Sequence, residues 1–172
     1  MEYKIMGGHF SIEKHQESID IITQQEDVNN QMRETEFRKI AQSILPAEGF
    51  EDYESPEKSQ SVPFDFIATK DNKLALIEMK GAGKNFNYSS ATQYSRLLQV
   101  YEALEKDNIK PSLFLLQINL KYGVYQILTK QYYDLIFKEV KEMMKRDPEL
   151  GRKQKIDSSL DVITEYRNKY KV

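Results

Sequence analysis

Two apolar runs joined by a four-residue turn set the frame for this chain. SVPFDFIAT (61–69) reads as a strand, KDNK as a turn and LALIEMK (74–80) as a second strand, so the middle of the sequence forms a β-hairpin. The second strand ends unusually. Its apolar run breaks off into Glu78-Met79-Lys80 and then into Gly81-Ala82-Gly83-Lys84-Asn85. Alternate residues of a strand share a face, so Leu74, Leu76, Glu78 and Lys80 point the same way, with Glu78 and Lys80 roughly 7 Å apart. Two charges at the buried end of a core strand are costly unless they are paired or bound to a metal. An antiparallel hairpin also brings Asp65, set between two phenylalanines on the first strand, close to that end.

An acid two residues before a lysine says little by itself. The chain has four such triplets: Glu2-Tyr3-Lys4, Asp71-Asn72-Lys73, Glu78-Met79-Lys80 and Glu139-Val140-Lys141. Glu2 lies at a terminus, Asp71 in a turn and Glu139 on the solvated face of a helix. Only Glu78 and Lys80 close an apolar strand. Two carboxylates and a lysine converging there make a hard-oxygen site with a cation beside it, which suits Mg²⁺, an ion that keeps several waters and binds substrate phosphates.

The glycines after Lys80 invite a nucleotide reading, which fails. A P-loop needs G-x-x-x-x-G-K-[ST]. The residue five before Gly83 is Glu78, and Asn85 follows Lys84. A dinucleotide fingerprint fails too, because only Gly81 and Gly83 are present. The glycines are expected to allow a sharp turn or a close approach of backbone to a ligand.

The flanks supply the other layers. Residues 10–12 and 19–23 are β-rich and suggest an N-terminal hairpin. NNQMRETEFRKIAQSILP reads as a helix capped by Asn29 or Asn30, with Phe37, Ile40, Ala41 and Ile44 at helical spacing and Pro46 as its stop. A short strand is expected near 50–53. ATQYSRLLQVYEALEK carries the apolar stripe Tyr94, Leu97, Leu98, Tyr101 and Leu104, with Ser89 or Ser90 as cap. PSLFLLQINL and GVYQILT read as strands split by a turn at 121–122. KQYYDLIFKEVKEMMKRD reads as one amphipathic helix, and SSLDVITEYRNKYK as a last helix capped by Ser158 or Ser159. The order predicts an α/β fold, a central mixed β-sheet flanked by helices. It divides into an extension (1–28), a core (29–146) and a helical tail (147–172) of one domain.

Composition narrows the chemistry. At 172 residues the chain is long enough to bury its own core. It has no cysteine, which removes disulfides, thiolate zinc sites and cysteine nucleophiles. His9 and His15 are too few for a histidine-rich metal site and read as surface or loop residues. No apolar run is long enough to span a membrane and the N-terminus has no apolar leader, so a cytoplasmic location is expected. Residues 1–60 carry 6 Lys/Arg against 13 Asp/Glu, and residues 61–172 carry 19 against 14. That asymmetry hints at one basic working face.

Acid, about a dozen residues, then acid-x-lysine on the next strand resembles the PD-(D/E)xK nuclease superfamily, the restriction-endonuclease-like fold. Pro63-Phe64-Asp65 and Glu78-Met79-Lys80 carry the resemblance, which covers roughly residues 30–130. Phe64 is a departure, since it separates proline from the acid. The family core is α-β-β-β-α-β, the order read above. The resemblance implies that Asp65 and Glu78 hold Mg²⁺, or Mn²⁺ in its place, with help from the Met79 carbonyl. Lys80 would orient the attacking water, lower its pKa or stabilise the transition state. It implies a further acid from the first helix. Glu36, one turn before Ile40, is expected to point inward, and Glu34, four before Arg38, to form a surface ion pair. Gln93 matches a glutamine that many relatives place after the lysine strand.

The expected function is therefore a Mg²⁺-dependent endonuclease hydrolysing DNA phosphodiester bonds, of restriction or defence type. Lys84, Asn85 and Asn87 are expected to touch phosphates, as are Arg152, Lys153 and Lys155 of the RKQK run. Cutting both strands calls for two active sites, hence a homodimer. The alternatives are a structure-specific nuclease, such as a Holliday-junction resolvase or repair enzyme, and a non-catalytic module binding a protein partner through the acidic first 60 residues.

Overall fold

The computed structural model describes residues 6–24, 29–56, 62–147 and 156–172. It is an α/β protein built on one six-stranded mixed sheet. The strands are β1 (Met6–His9), β2 (Glu51–Glu54), β3 (Phe66–Lys70), β4 (Lys73–Ala82), β5 (Ser112–Asn119) and β6 (Val124–Thr129). They lie in the order β1-β6-β5-β4-β3-β2. Only the central β4–β5 pair is parallel, and the helix α3 (Ala91–Lys106) provides its crossover. The expected hairpin is β3–β4, paired from Lys70↔Lys73 to Phe66↔Ile77 around Asp71 and Asn72, both at positive φ.

Strand alternation sorts the core into two layers. Ala75, Ile77 and Met79 of β4 face α1 (Gln16–Gln24) and α2 (Asn30–Ala47), which contribute Ile19, Ile22, Phe37, Ile40 and Ile44. Leu74 and Leu76 face the other way, onto Leu97, Val100 and Leu104 of α3 and Ile163 and Tyr166 of α6 (Ile156–Tyr170). A third cluster on this second side joins Tyr94 and Leu98 of α3 to Tyr133 of α4 (Lys130–Ile136) and Val140 of α5 (Val140–Arg146). Among the described residues no helix is long and apolar enough to cross a membrane.

Several elements differ from the sequence reading. The N-terminal segment is not a hairpin. Met6–His9 is an edge strand paired with β6, and residues 16–24 are helical. The β-branched Ile19, Ile21 and Ile22 suggested a strand, but Ser18, Ile19 and Ile22 are the buried ones, a helical spacing set by packing on α2. Asn29 is the cap of α2, its side chain accepting from the Met32 amide. The helix runs through Pro46 rather than stopping there. A proline has no N–H for the Gln42 carbonyl four residues back, and the Tyr53 hydroxyl donates to that carbonyl instead at 3.3 Å. The single helix expected over 130–147 is broken. Phe137 leaves helical geometry and its ring stacks on Tyr94 and Tyr133, 5.5 and 6.1 Å between centroids, while Val140 restarts the helix buried. Ser158 and Ser159 lie inside α6 rather than at its cap.

Candidate functional site

The site forms where β3 and β4 part. Phe66↔Ile77 is the last β3–β4 pair, so Asp65 falls opposite Glu78, and opposed residues of an antiparallel pair share a face. The Asp65 amide still donates to the Ile77 carbonyl at 2.8 Å. Beyond that point β4 runs on to Ala82 with β5 alone beside it. Its open edge is partly closed by the Asp65 side chain, whose Oδ2 accepts from the Met79 amide at 2.8 Å. A cleft of about 220 Å³ opens here, and Glu34, Asp65, Glu78, Lys80, Gln93 and Arg96 line it.

Glu78 is the most constrained of these groups. It is 6% exposed. Its Oε2 accepts from the Ser89 hydroxyl at 2.5 Å, and Lys80 Nζ stands 3.7 Å from Oε1. Burial pushes the carboxyl above its ordinary range, and the facing Asp65 charge adds to that. Ser89 and Lys80 oppose the rise without cancelling it. Ser89 is itself buried and lies 3.0 Å from the Tyr133 hydroxyl. The serine proton is committed to Glu78, so Tyr133 donates to Ser89. Tyr133 stacks flat on Tyr94, 5.0 Å between centroids, and burial raises both phenols, so the relay stays protonated.

Helix α2 closes the opposite wall with Glu34, and its Arg38 reaches Asp65 from outside the cleft lining. Arg38 Nη2 lies 3.1 Å from Asp65 Oδ1, and its Nη1 donates to Ser55 Oγ at 3.1 Å. Ser55 Oγ in turn donates to the Asp65 carbonyl at 3.1 Å. Arg38 thus pairs with Asp65, not with Glu34 as the four-residue spacing suggested. Glu34 is exposed and lines the cleft. Glu36 does not. It is buried on the α1 side of α2, with Lys39 Nζ 2.9 Å from Oε1. Burial works to raise its carboxyl, but the Ser18 hydroxyl and Lys39 outweigh it and hold the group below the ordinary range. Two residues along a helix are about 200° of rotation, so 34 and 36 cannot serve the same wall.

The remaining candidates divide by location. Gln93 lines the cleft, but its side-chain oxygen accepts from the Ser90 amide at 3.1 Å in a capping box, so Ser90 is the cap of α3. Met79, expected to contribute its carbonyl, borders the cleft while its side chain packs into the α1–α2 layer. Lys84, Asn85 and Asn87 sit on the exposed loop after β4, outside the cleft lining. Asn87 donates its side-chain amide to the Gly81 carbonyl at 3.1 Å. The buried Gln117 and Asn119 of β5 anchor this loop, donating to the carbonyls of Asn87 at 2.7 Å and Lys84 at 2.8 Å. Arg152, Lys153 and Lys155 lie outside the described residues.

Among the described residues no group of three or more His, Cys, Asp or Glu side chains gathers as a metal cage. The donor set is Asp65 and Glu78, two oxygens-only ligands facing each other, with Glu34 at the rim. One or two carboxylates, completed by water and substrate phosphate, is how Mg²⁺ is usually held. The residues present fit that ion, and the Arg38 guanidinium competes with it for Asp65. Replacing Arg38 with methionine should therefore tighten Mn²⁺ binding several-fold, since an ion pair of this exposure is worth about 1 kcal/mol or less. Calorimetric titration checks this, and unchanged or weaker affinity would show that Arg38 and the ion do not contend for the same oxygen.

Compared with family models and with curated proteins, the chain shows no match to either.

Proposed function

We propose that this protein is a metal-dependent nuclease with a restriction-endonuclease-like core, hydrolysing DNA phosphodiester bonds in restriction or defence. The observation that carries the reading is the register of the hairpin. Asp65 stands opposite Glu78 at the point where β3 leaves β4, with Lys80 on the same face, 3.7 Å from Glu78. The order α2-β2-β3-β4-α3-β5 supports the fold assignment, because it is the α-β-β-β-α-β order of the PD-(D/E)xK superfamily.

In this reading Asp65 and Glu78 would hold Mg²⁺, which when bound would polarise the scissile phosphate and lower the pKa of a water. Ser89 and Tyr133 keep Glu78 aimed into the cleft. Lys80, half-buried beside Glu78, offsets charge that develops on the phosphate and holds the attacking water by hydrogen bonding. Cutting both strands of a duplex requires a second copy of the site, hence a homodimer.

One observation favours a second reading, a non-catalytic module on the same fold. Both oxygens of Asp65 already have structural partners, Arg38 and the Met79 amide. Cleavage of plasmid and of branched DNA, each with Mg²⁺, Mn²⁺ or EDTA, separates the two. The nuclease reading expects metal-dependent cutting that falls by at least about 10²–10³-fold in Asp65→Ala and in Lys80→Ala. Preference for branched over plain duplex DNA would mark a structure-specific enzyme. No cutting on either substrate, with no metal bound in a titration, would leave the module.

A further inference from the structure

Every charged group of the cleft but two is already answered by an opposite charge. Asp65 has Arg38 at 3.1 Å and Glu78 has Lys80 at 3.7 Å. Glu34 stands exposed at the rim. The other exception is Arg96. It lies three residues beyond Gln93 on α3, which puts both on one face of the helix and both in the cleft wall. Arg96 makes no ion pair among the described residues. Its Nε is buried and, like the Nε of Arg38, has no hydrogen-bond partner among the described residues, but Arg38 already has Asp65 and Arg96 has no anion.

A buried guanidinium N–H without an acceptor costs free energy that a shift of the side chain to solvent would recover. The helix that carries it is fixed in place. Tyr94, Leu97, Leu98 and Val100 anchor the helix from beneath, and the direction of α3 is fixed by the capping box at Ser90. The cleft floor opposite holds two carboxylates whose charges are spoken for. Glu34, the unpaired carboxylate of the lining, forms no ion pair with Arg96, so an anion that answers the guanidinium has to come from outside. A guanidinium presents a planar fork of donors that matches two non-bridging oxygens of a phosphate, and Lys80, committed to Glu78, cannot supply that fork.

We propose that Arg96 is the phosphate-gripping residue of this cleft, binding the non-bridging oxygens of a nucleic-acid backbone phosphate on the α3 side while Asp65 and Glu78 serve the opposite side. The assignment rests on the nuclease reading and adds to it a residue, a wall and a direction of approach. A strand enters between α2 and α3, with Gln93 and Arg96 on one flank and Glu34 on the other. It also reassigns a role. Gln93, whose oxygen is held by the Ser90 amide, belongs to the capping box with only its amide N–H groups left for the cleft, and the charge contact belongs to Arg96.

Binding measured apart from cutting tests it. Fluorescence anisotropy of a labelled duplex of about 20 base pairs, and of one of its strands, is followed with the full chain in EDTA and in Ca²⁺ over a series of salt concentrations. Wild type is compared with Arg96→Ala, Arg96→Gln and Arg96→Lys. Loss of one phosphate contact should weaken binding about tenfold in Arg96→Ala and lower the log–log salt slope by about 1. Arg96→Lys should keep the slope and recover only part of the affinity, because it restores the charge and not the fork. If Arg96→Ala melts early, Arg96→Gln, which keeps most of the stem, carries the comparison. Wild-type affinity and slope in Arg96→Ala or Arg96→Gln would overturn the assignment, and if the wild type still cuts DNA the nuclease reading would stand without it. A wild-type chain that neither binds nor cuts DNA would overturn both.

Discussion

Glu78→Gln should leave this protein inactive on DNA and more resistant to heat. The two effects share one cause. Glu78 is buried at a strand end, with Asp65 facing it across the register and with Ser89 and Lys80 compensating it. Burial holds its folded-state pKa above the ordinary value of 4.5. The folded chain therefore keeps this proton to higher pH than the unfolded chain does. The resulting penalty is fully present above the folded-state pKa, shrinks as pH falls through it, and vanishes below the unfolded value. Glutamine never ionises and keeps an oxygen for the Ser89 hydroxyl. In EDTA at pH 8, Glu78→Gln should melt a few degrees higher than wild type, as about 1 kcal/mol moves Tm by about 2–4 °C at this size. The gap should close toward pH 4.5. Added Mg²⁺ should reverse the order, because a ligand at 100 times its Kd stabilises only the chain that binds it, by about 2.7 kcal/mol. Calorimetry across pH, with and without Mg²⁺, measures all three. A variant that melts below wild type in EDTA at pH 8 would mean that Ser89 and Lys80 hold the carboxylate more strongly than burial opposes it.

Such a trade is expected where local preferences and global fold disagree, and those places were the hard ones to read in the sequence. The hairpin was legible because its signals are local: a four-residue turn, alternation, and an apolar run cut off by charge. Those signals also placed Glu78 and Lys80 on one face and brought Asp65 close to that strand end. What escaped depends on which way a helix is rolled. Glu34 and Glu36 are both plausible from spacing until the packing of α1 on α2 is known, since Glu36 is held by Ser18 of α1, which no periodicity rule links to it, as well as by Lys39 one turn on. Arg38 looked like a surface partner for Glu34 because four-residue spacing is a local rule, whereas its partner Asp65 is 27 residues away. Ser89 was weighed only as a helix cap. Its neighbour Ser90 takes that role, and Ser89 turns inward to Glu78. Arg96 sits three residues after Gln93, a spacing that could have flagged it. Tyr133 had no signal at all, because its tie to Ser89 spans 44 residues. The N-terminal hairpin failed for the opposite reason: three isoleucines with high β-propensity were outweighed by one packed face.

The glycines after Lys80 yield the sharpest contrast between neighbouring positions. A Cβ at Gly81 would fall 2.2 to 2.4 Å from three ring atoms of Phe37, whereas one at Gly83 would meet nothing within 4 Å. Neither residue has positive φ, so space alone separates them. Gly81 lies on β4 directly under α2, and Phe37 is a buried core side chain that cannot swing into solvent without leaving a void. Gly81→Ala should therefore cost about 1–3 kcal/mol, as overpacking does, and Gly83→Ala should be neutral or stabilise by up to about 1 kcal/mol through the unfolded chain. The strain also has an address. Phe37 precedes Arg38, so lifting α2 off the sheet draws the guanidinium away from Asp65 and widens the cleft beside Lys80. Gly81→Ala should lose activity beyond what its fraction unfolded accounts for. Urea melts of Gly81→Ala, Phe37→Leu and the double variant decide the cause: if the ring clash is responsible, the double variant is more stable than the sum of the singles predicts. Simple additivity would place the cost of Gly81→Ala in the β4 backbone instead, and then the path from Gly81 through Phe37 to Arg38 and the cleft would not exist.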